Sequence, residues 1–244
     1  MNKEFSFGTQ VRKSPYFDAT VRWGAQGFSV YNHMYIPRDF GDPVKNFWNL
    51  VNDAILCDVA VERQVKITGS DAAQFVQLLT PRNLSECAVG QCKYVLITDE
   101  NGGILNDPVL LRLSEDEFWF SISDSDLLLW LQGVNISKKY DVMIDEIDVC
   151  PLQIQGPLSE DLMAKLAGEE LREIPYYGLM ETNIGGADVV ISQTGFTGEK
   201  GYEIYVRDAH ENAELVWNSV LEAGEEFGLM VIAPAHHRRI AAGI

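Results

Sequence analysis

The stretch KYVLITDENGGILNDPVLLRL, residues 93–113, reads as two apolar strands, 93–98 and 104–113, joined by Glu100-Asn101-Gly102-Gly103. Asn and Gly tolerate positive φ, so this is hairpin chemistry and the strands are antiparallel neighbours. Upstream, residues 63–68 alternate as a strand and Gly69 ends it. Ser70 or Asp71 is then placed to cap the helix AAQFVQLL, whose Ala72, Phe75, Val76 and Leu79 share one face. Residues 47–59 read as a helix leading into a strand, and residues 1–40 are mixed and aromatic-rich, punctuated by Pro15 and Pro37. Downstream, residues 117–122 read as a strand, Ser123 or Asp124 caps the helix SDLLLWLQG, and residues 142–148 return as a strand.

A second unit opens at Pro151. LQIQGP is a strand ending at Gly156, and SEDLMAKLAG is a helix. Strand, glycine, helix is the order already seen in VKITGSDAAQFVQLL, a faint internal echo. Residues 180–183 and 188–193 pair across Gly185-Gly186, and residues 202–206 form a further strand. Residues 211–223 form a helix with Leu215, Val216, Ser219 and Val220 on one face. Helices that interrupt hairpins argue for an α+β fold, with helices on one face of mostly antiparallel sheets.

The 244 residues are 46% hydrophobic, enough for one large domain or two smaller ones. Thirty-six acids against nineteen Lys plus Arg give a net charge of -17, which disfavours nucleic acid and anionic membranes as partners. The start, MNKEFSFGTQ, has no apolar core of signal-peptide type, and no run approaches the length that spans a bilayer, so a cytoplasmic location is expected. Cys57, Cys87, Cys92 and Cys150 form no CxxC pair and read as inert thiols. Of His33, His210, His236 and His237 only the last two adjoin, and no metal site is expected. Neither GxGxxG nor GxxxxGK[ST], HExxH nor GxSxG occurs.

Three segments are distinctive. In the first, Tyr94 is followed by the Gly102-Gly103 turn and then by Asn106-Asp107. The second is QTGFTGEKGYEIYV at 193–206, and the third is IQGP at 154–157. In this order they resemble the folate-dependent one-carbon transferases typified by the T-protein of the glycine cleavage system. VYNHM at 30–34, CDVAVERQV at 57–65, GGILNDPV at 102–109 and SISDSDLLLW at 121–130 resemble the dimethylsulfoniopropionate demethylase branch more closely. The resemblance implies two interleaved ferredoxin-like units, one of residues 1–54 plus 148–244 and an inserted one of residues 55–147. It also implies a C-terminal barrel domain that this sequence does not contain. The apolar end IAAGI reads as an interrupted helix, in a chain either truncated or completed by another polypeptide.

The resemblance further implies tetrahydrofolate in a central channel. Glu203 matches the carboxylate that receives the guanidine-like edge of the pterin, for which a carboxylate is the natural bidentate acceptor. Asp107 matches the second acid of the family pair, the catalytic group near N5; Asn106 replaces the first. Tyr94, Tyr177 and Phe196 match walls along the folate, and Arg239 the residue that meets its glutamyl tail. Tyr31, Tyr205 and Ser123 are assigned to the donor substrate, where aromatic faces attract a cation. Each has a plainer reading as core, turn cap or surface ion pair. The implied function is transfer of a methyl group from a small cationic donor, such as dimethylsulfoniopropionate, to N5 of tetrahydrofolate. A glycine-cleavage aminomethyltransferase and a non-enzymatic folate-binding relative are the alternatives, and a homo-oligomer is compatible with any of them. Ser123 stands where the T-protein has Asn, which weakens a glycine-cleavage reading; AHHRRIAAG keeps only one of two family arginines, Arg239, which speaks for the folate-binding relative, while retention of Asp107 speaks against it.

Overall fold

A computed structural model describes residues 7–244. The chain divides into two compact units, one formed by the described residues up to Val61 with Val149–Tyr176 and Met180–Ile244, the other by Glu62–Asp148 with Tyr177–Leu179.

The first unit is organised by a six-stranded sheet in the order Leu179–Ile184, Ala187–Ser192, Gly201–Arg207, Val149–Gln155, Ile55–Asp58, Met230–Val231. All described pairings are antiparallel except Met230–Val231 against Ile55–Leu56. Ile55–Asp58 is therefore a strand of this unit. It does not open the insertion, because its register partners are Leu152 to Gln155. The central strands are buried on both faces, one lined by apolar side chains and the other carrying the buried polar residues Gln153, Gln155 and Glu203. On one face Leu56, Leu152, Ile154, Ile191, Tyr202, Ile204 and Val206 pack with the helices Ser159–Ala167 and Ala209–Gly224.

The helix Ala209–Gly224 buries Ala213, Val216, Trp217 and Val220. Val216 and Val220 are as expected, but Leu215 is exposed and Ser219 spends its hydroxyl on the Leu215 carbonyl. The true stripe lies one residue on because Trp217, fully buried and stacked on Tyr16, brings the larger apolar area. Truncating Trp217 to Ala would cost about 3–5 kcal/mol. Gly27–Tyr31 and Met34–Asp39 form a separate hairpin, turned by Asn32 and His33, both at positive φ.

The second unit is a five-stranded antiparallel sheet ordered Met143–Glu146, Gln64–Thr68, Glu117–Ser121, Val109–Arg112, Gln91–Tyr94. Helices Ala72–Leu79 and Leu127–Lys138 cover it, with Phe75, Val76, Leu79, Leu127 and Leu131 in the core. The expected long hairpin is broken in two. Gln91–Tyr94 pairs with Val109–Arg112, while Ile97–Thr98 and Ile104–Asn106 form a small ladder of their own. Pro108 sits at the break, lacking a ladder N–H and accepting from Val95 N at 3.0 Å. The turn is held by Asp99, whose carboxylate accepts from Asn101 N and Gly103 N, both at 2.8 Å.

Neither sequence-assigned cap forms. Asp71 stands at the start of its helix, but its carboxylate accepts from Asp141 N at 2.8 Å. The second helix begins at Leu127, because Ser123 and Ser125 are held by Asn106 instead.

The internal echo is a shared local device. Gly69 and Gly156 both have positive φ, 138° and 121°, and each begins the turn into its helix. A Cβ would stand 2.3 Å from Asp141 O at Gly69 and 2.4 Å from Asp53 O at Gly156, so only glycine fits. Among the described residues no helix is long and apolar enough to cross a membrane. The four cysteines are buried and unbridged; burial, and then the charge of Asp58, push the Cys57 thiol up, and burial likewise raises Cys87.

Candidate functional site

In the first unit the sheet face opposite its main core carries a row of polar groups. Ser192, Glu203, Gln153 and Cys57 are register partners across four strands, so their side chains share that face. All four are buried. Glu203, 3% exposed, accepts from three neutral donors. Thr194 Oγ1 donates to Oε2 at 2.5 Å, the Tyr205 hydroxyl donates to the same oxygen at 2.9 Å, and Gln153 Nε2 donates to Oε1 at 3.3 Å. Ser192 Oγ lies 2.5 Å from Thr194 Oγ1 and must be the donor, since the Thr194 proton is already used. Burial pushes Glu203 above the ordinary carboxylate range, against the lowering effect of the bonds from Thr194, Tyr205 and Gln153.

Gln155 fixes the loop that delivers Thr194. Its Nε2 donates to Thr194 O at 3.1 Å and its Oε1 accepts from Thr197 Oγ1 at 2.7 Å. The same loop is tied to the helix His236–Ala242. Phe196 stacks on His236 with ring centroids 6.0 Å apart, and Arg238 donates through Nε and Nη2 to Glu199 Oε1 at 2.8 and 2.6 Å. Burial and the nearby Arg38, Arg239 and His237 charges lower the pKa of His236.

In the second unit, the Tyr94 hydroxyl donates to Asp107 Oδ2 at 2.8 Å. Tyr94 is 41% exposed, so its ring is a presented surface and not core. Asn106 is buried beside it and works as a clamp: Nδ2 donates to Ser123 O and Ser125 Oγ, and Oδ1 accepts from Ser123 N. Ser123 Oγ in turn donates to the Asp107 carbonyl at 3.4 Å. The backbone of Asp107 is thereby tied through Ser123 to the neutral amide of Asn106.

Of the residues singled out from sequence, Tyr94, Asp107 and Ser123 thus come together in the second unit, and Glu203 and Tyr205 in the first. Tyr205 is fully buried and engaged with Glu203. Tyr177, at φ 61°, belongs to the second unit, and its carbonyl accepts from Cys92 N at 2.7 Å. Phe196 is partly buried against Leu50, Ile55, Cys57 and Ile232. Tyr31 ends the first strand of the small hairpin and is partly buried against the first unit's core. Arg239 is exposed and donates to Ile244 O at 3.2 Å. Gln153, Thr194 and Ser192 were not read from sequence, although two glutamines inside PLQIQG were a visible signal of a polar row in an apolar strand.

The sequence model of the family described as GCVT N-terminal domain matches residues 16–240. The chain is 36% identical over 235 residues to dimethylsulfoniopropionate demethylase DmdA of Ruegeria pomeroyi, covering 96% of this chain and 64% of that protein. It is 29% identical over 231 residues to an aminomethyltransferase of Halalkalibacterium halodurans, covering 91% and 61%. The fold is similar to that of the glycine cleavage system aminomethyltransferase T from Bartonella henselae, with a TM-score of 0.83, 21% identity, and coverage of 96% and 63%. A more distant likeness, TM-score 0.60 at 20% identity, joins it to a chain of the heterotetrameric sarcosine oxidase from Corynebacterium sp. U-96. The chain spans less than two thirds of the length of these curated relatives. Since the family match runs through both units and takes in the Tyr94–Asp107 pair as well as the Glu203 row, the chain belongs to the GCVT N-terminal domain family.

Proposed function

We propose that the protein takes part in tetrahydrofolate-dependent methyl transfer, moving a methyl group from a small cationic donor of the dimethylsulfoniopropionate type to N5 of the folate. The observation that carries this reading is Glu203, a carboxylate buried in a sheet and bonded, among the described residues, by neutral donors. A buried carboxylate without a cationic partner is costly, and a ligand edge of N–H donors would offset that cost. The adjoining Gln153 Oε1, buried and without a donor among the described residues, adds a second acceptor and fits the same kind of edge.

Tetrahydrofolate would supply the nucleophilic nitrogen. Glu203 would hold the amino edge of the pterin, with Thr194 and Tyr205 orienting the carboxylate. Asp107, bonded to Tyr94, would manage charge and protons of the transfer step. A sulfonium carbon is already activated by its leaving group, so the residues need to position and not to attack. The demethylase reading is supported by the 36% identity to the demethylase, which extends over 96% of this chain, and by Asn106 serving as a clamp.

The test is an assay of the complete protein with tetrahydrofolate and either dimethylsulfoniopropionate or an aminomethylated lipoyl carrier. Formation of 5-methyltetrahydrofolate from the first donor is expected. Turnover of the second donor alone would replace the reading with aminomethyl transfer, and folate binding without turnover of either would leave a folate-binding protein. Asp107→Asn should lower kcat about 100-fold or more with little change in folate affinity.

A further inference from the structure

We infer that Gln153 is a ligand-contacting, specificity-determining residue, whose Oε1 accepts an N–H of the bound heterocycle beside Glu203. The inference rests on the proposed folate reading and deepens it. A carboxylate offers roughly four lone-pair sites, two per oxygen. At Glu203, Oε2 is filled by Thr194 and Tyr205, and Oε1 already receives Gln153 Nε2. About one site is left, and it is on Oε1. A guanidine-like edge presents two donors side by side, so Glu203 alone cannot take both in the bidentate manner that a free carboxylate would.

Gln153 supplies what is missing. It is 0% exposed, its register partner is Glu203, and its Oε1 is buried with no donor among the described residues. Its orientation is not arbitrary. Turning the amide over would set its oxygen against the Glu203 carboxylate and lose the Nε2 bond, so the bond to Glu203 fixes which atom is left over. Two acceptors with open sites, Glu203 Oε1 and Gln153 Oε1, therefore adjoin on one sheet face. An N–H of the ligand meeting Gln153 Oε1 would remove the penalty of an unpaired buried acceptor, while a ligand lacking that donor would not. Such a site discriminates by what it leaves unpaired, which is the strong form of polar specificity.

The experiment measures equilibrium binding of tetrahydrofolate, and of its analogue with a methyl group in place of the 2-amino group, to the complete wild-type protein and to Gln153→Met. Wild type should prefer tetrahydrofolate by about 100-fold, and Gln153→Met should bind it about 10-fold more weakly while binding the analogue as wild type does. Equal tetrahydrofolate affinity of wild type and variant would overturn the inference and leave the folate reading standing. An equal loss for both ligands would also overturn it, since that marks a purely structural role. No binding of tetrahydrofolate by wild type would sink the folate reading itself, and the inference with it. Should Gln153→Met not fold, Gln153→Ala, which removes the amide without adding bulk, carries the same comparison.

Discussion

Tyr205 lies two residues beyond Glu203 on the same strand, and its hydroxyl donates to Glu203 Oε2 at 2.9 Å. Alternate residues of a strand face the same side, so the pair is built into the sheet, with no loop to order. Tyr205 therefore acts on the carboxylate first, and an expected role as a wall for the donor is secondary to that bond. Tyr205→Phe removes one of two bonds on Oε2 without changing the ring, and should weaken tetrahydrofolate binding about 3–10-fold. Because burial already raises Glu203, loss of a lowering bond raises it further. Binding that needs the carboxylate ionised should weaken on acidification from a pH above the usual carboxylate range, and at higher pH still in Tyr205→Phe. Titrations of affinity against pH check this; superimposable profiles for the two proteins would dismiss the role.

Arg238, and not Arg239, is the arginine with a partner in the site loop. Its guanidinium meets Glu199 while both side chains are largely shielded, at 21% and 18% exposure. Arg239 projects from the exposed side of its short helix. Arg238→Met should cost about 1–3 kcal/mol of stability, because it leaves Glu199 shielded and unpaired, whereas Arg239→Met should change it by about 0.5 kcal/mol or less. Chemical unfolding of both variants decides; a larger loss at Arg239 would reverse the assignment.

Asp58 is buried, accepts from Ser14 Oγ at 2.6 Å and Ala60 N at 3.0 Å, and its carboxyl is pushed up to about 6, chiefly by burial. The folded state therefore holds this proton more tightly than the unfolded chain does. The stabilising contribution is present in full below about 3.8 and is lost as pH rises through about 6. Asp58→Asn keeps a neutral acceptor at all pH values. Its stability relative to wild type should improve between pH 4 and pH 7.5 by up to about 3 kcal/mol. A relative stability that is flat over this range would show the charge to be compensated.

The hairpin chemistry of Glu100 to Gly103, the alternation at 63–68 and the stop at Gly69 were legible because each is local: turn residues and side-chain period are set within a few positions. The same holds for Gly156, whose echo of Gly69 turned out to be one backbone solution used twice. Asp71 holds the N-cap position without making a cap bond, and the helix expected to start at Ser123 starts later, because distant groups compete for these side chains. Asp141 N takes the first and Asn106 holds the second, and nothing near those positions in sequence announces either partner.

Taken alone, the sequence determined the α+β character and the family, since short motifs and strand periods are written in adjacent residues. Only the tertiary structure decided that Ile55–Asp58 belongs with Val149–Gln155, that Arg238 pairs with Glu199, and that Ser192, Glu203 and Gln153 form one row. The pairings of Val149–Gln155 with Ile55–Asp58 and with the Glu203 strand depend on register between segments about 50 to 100 residues apart. Hydrophobic pattern marks a strand, but which strand lies beside it is chosen by the whole core at once.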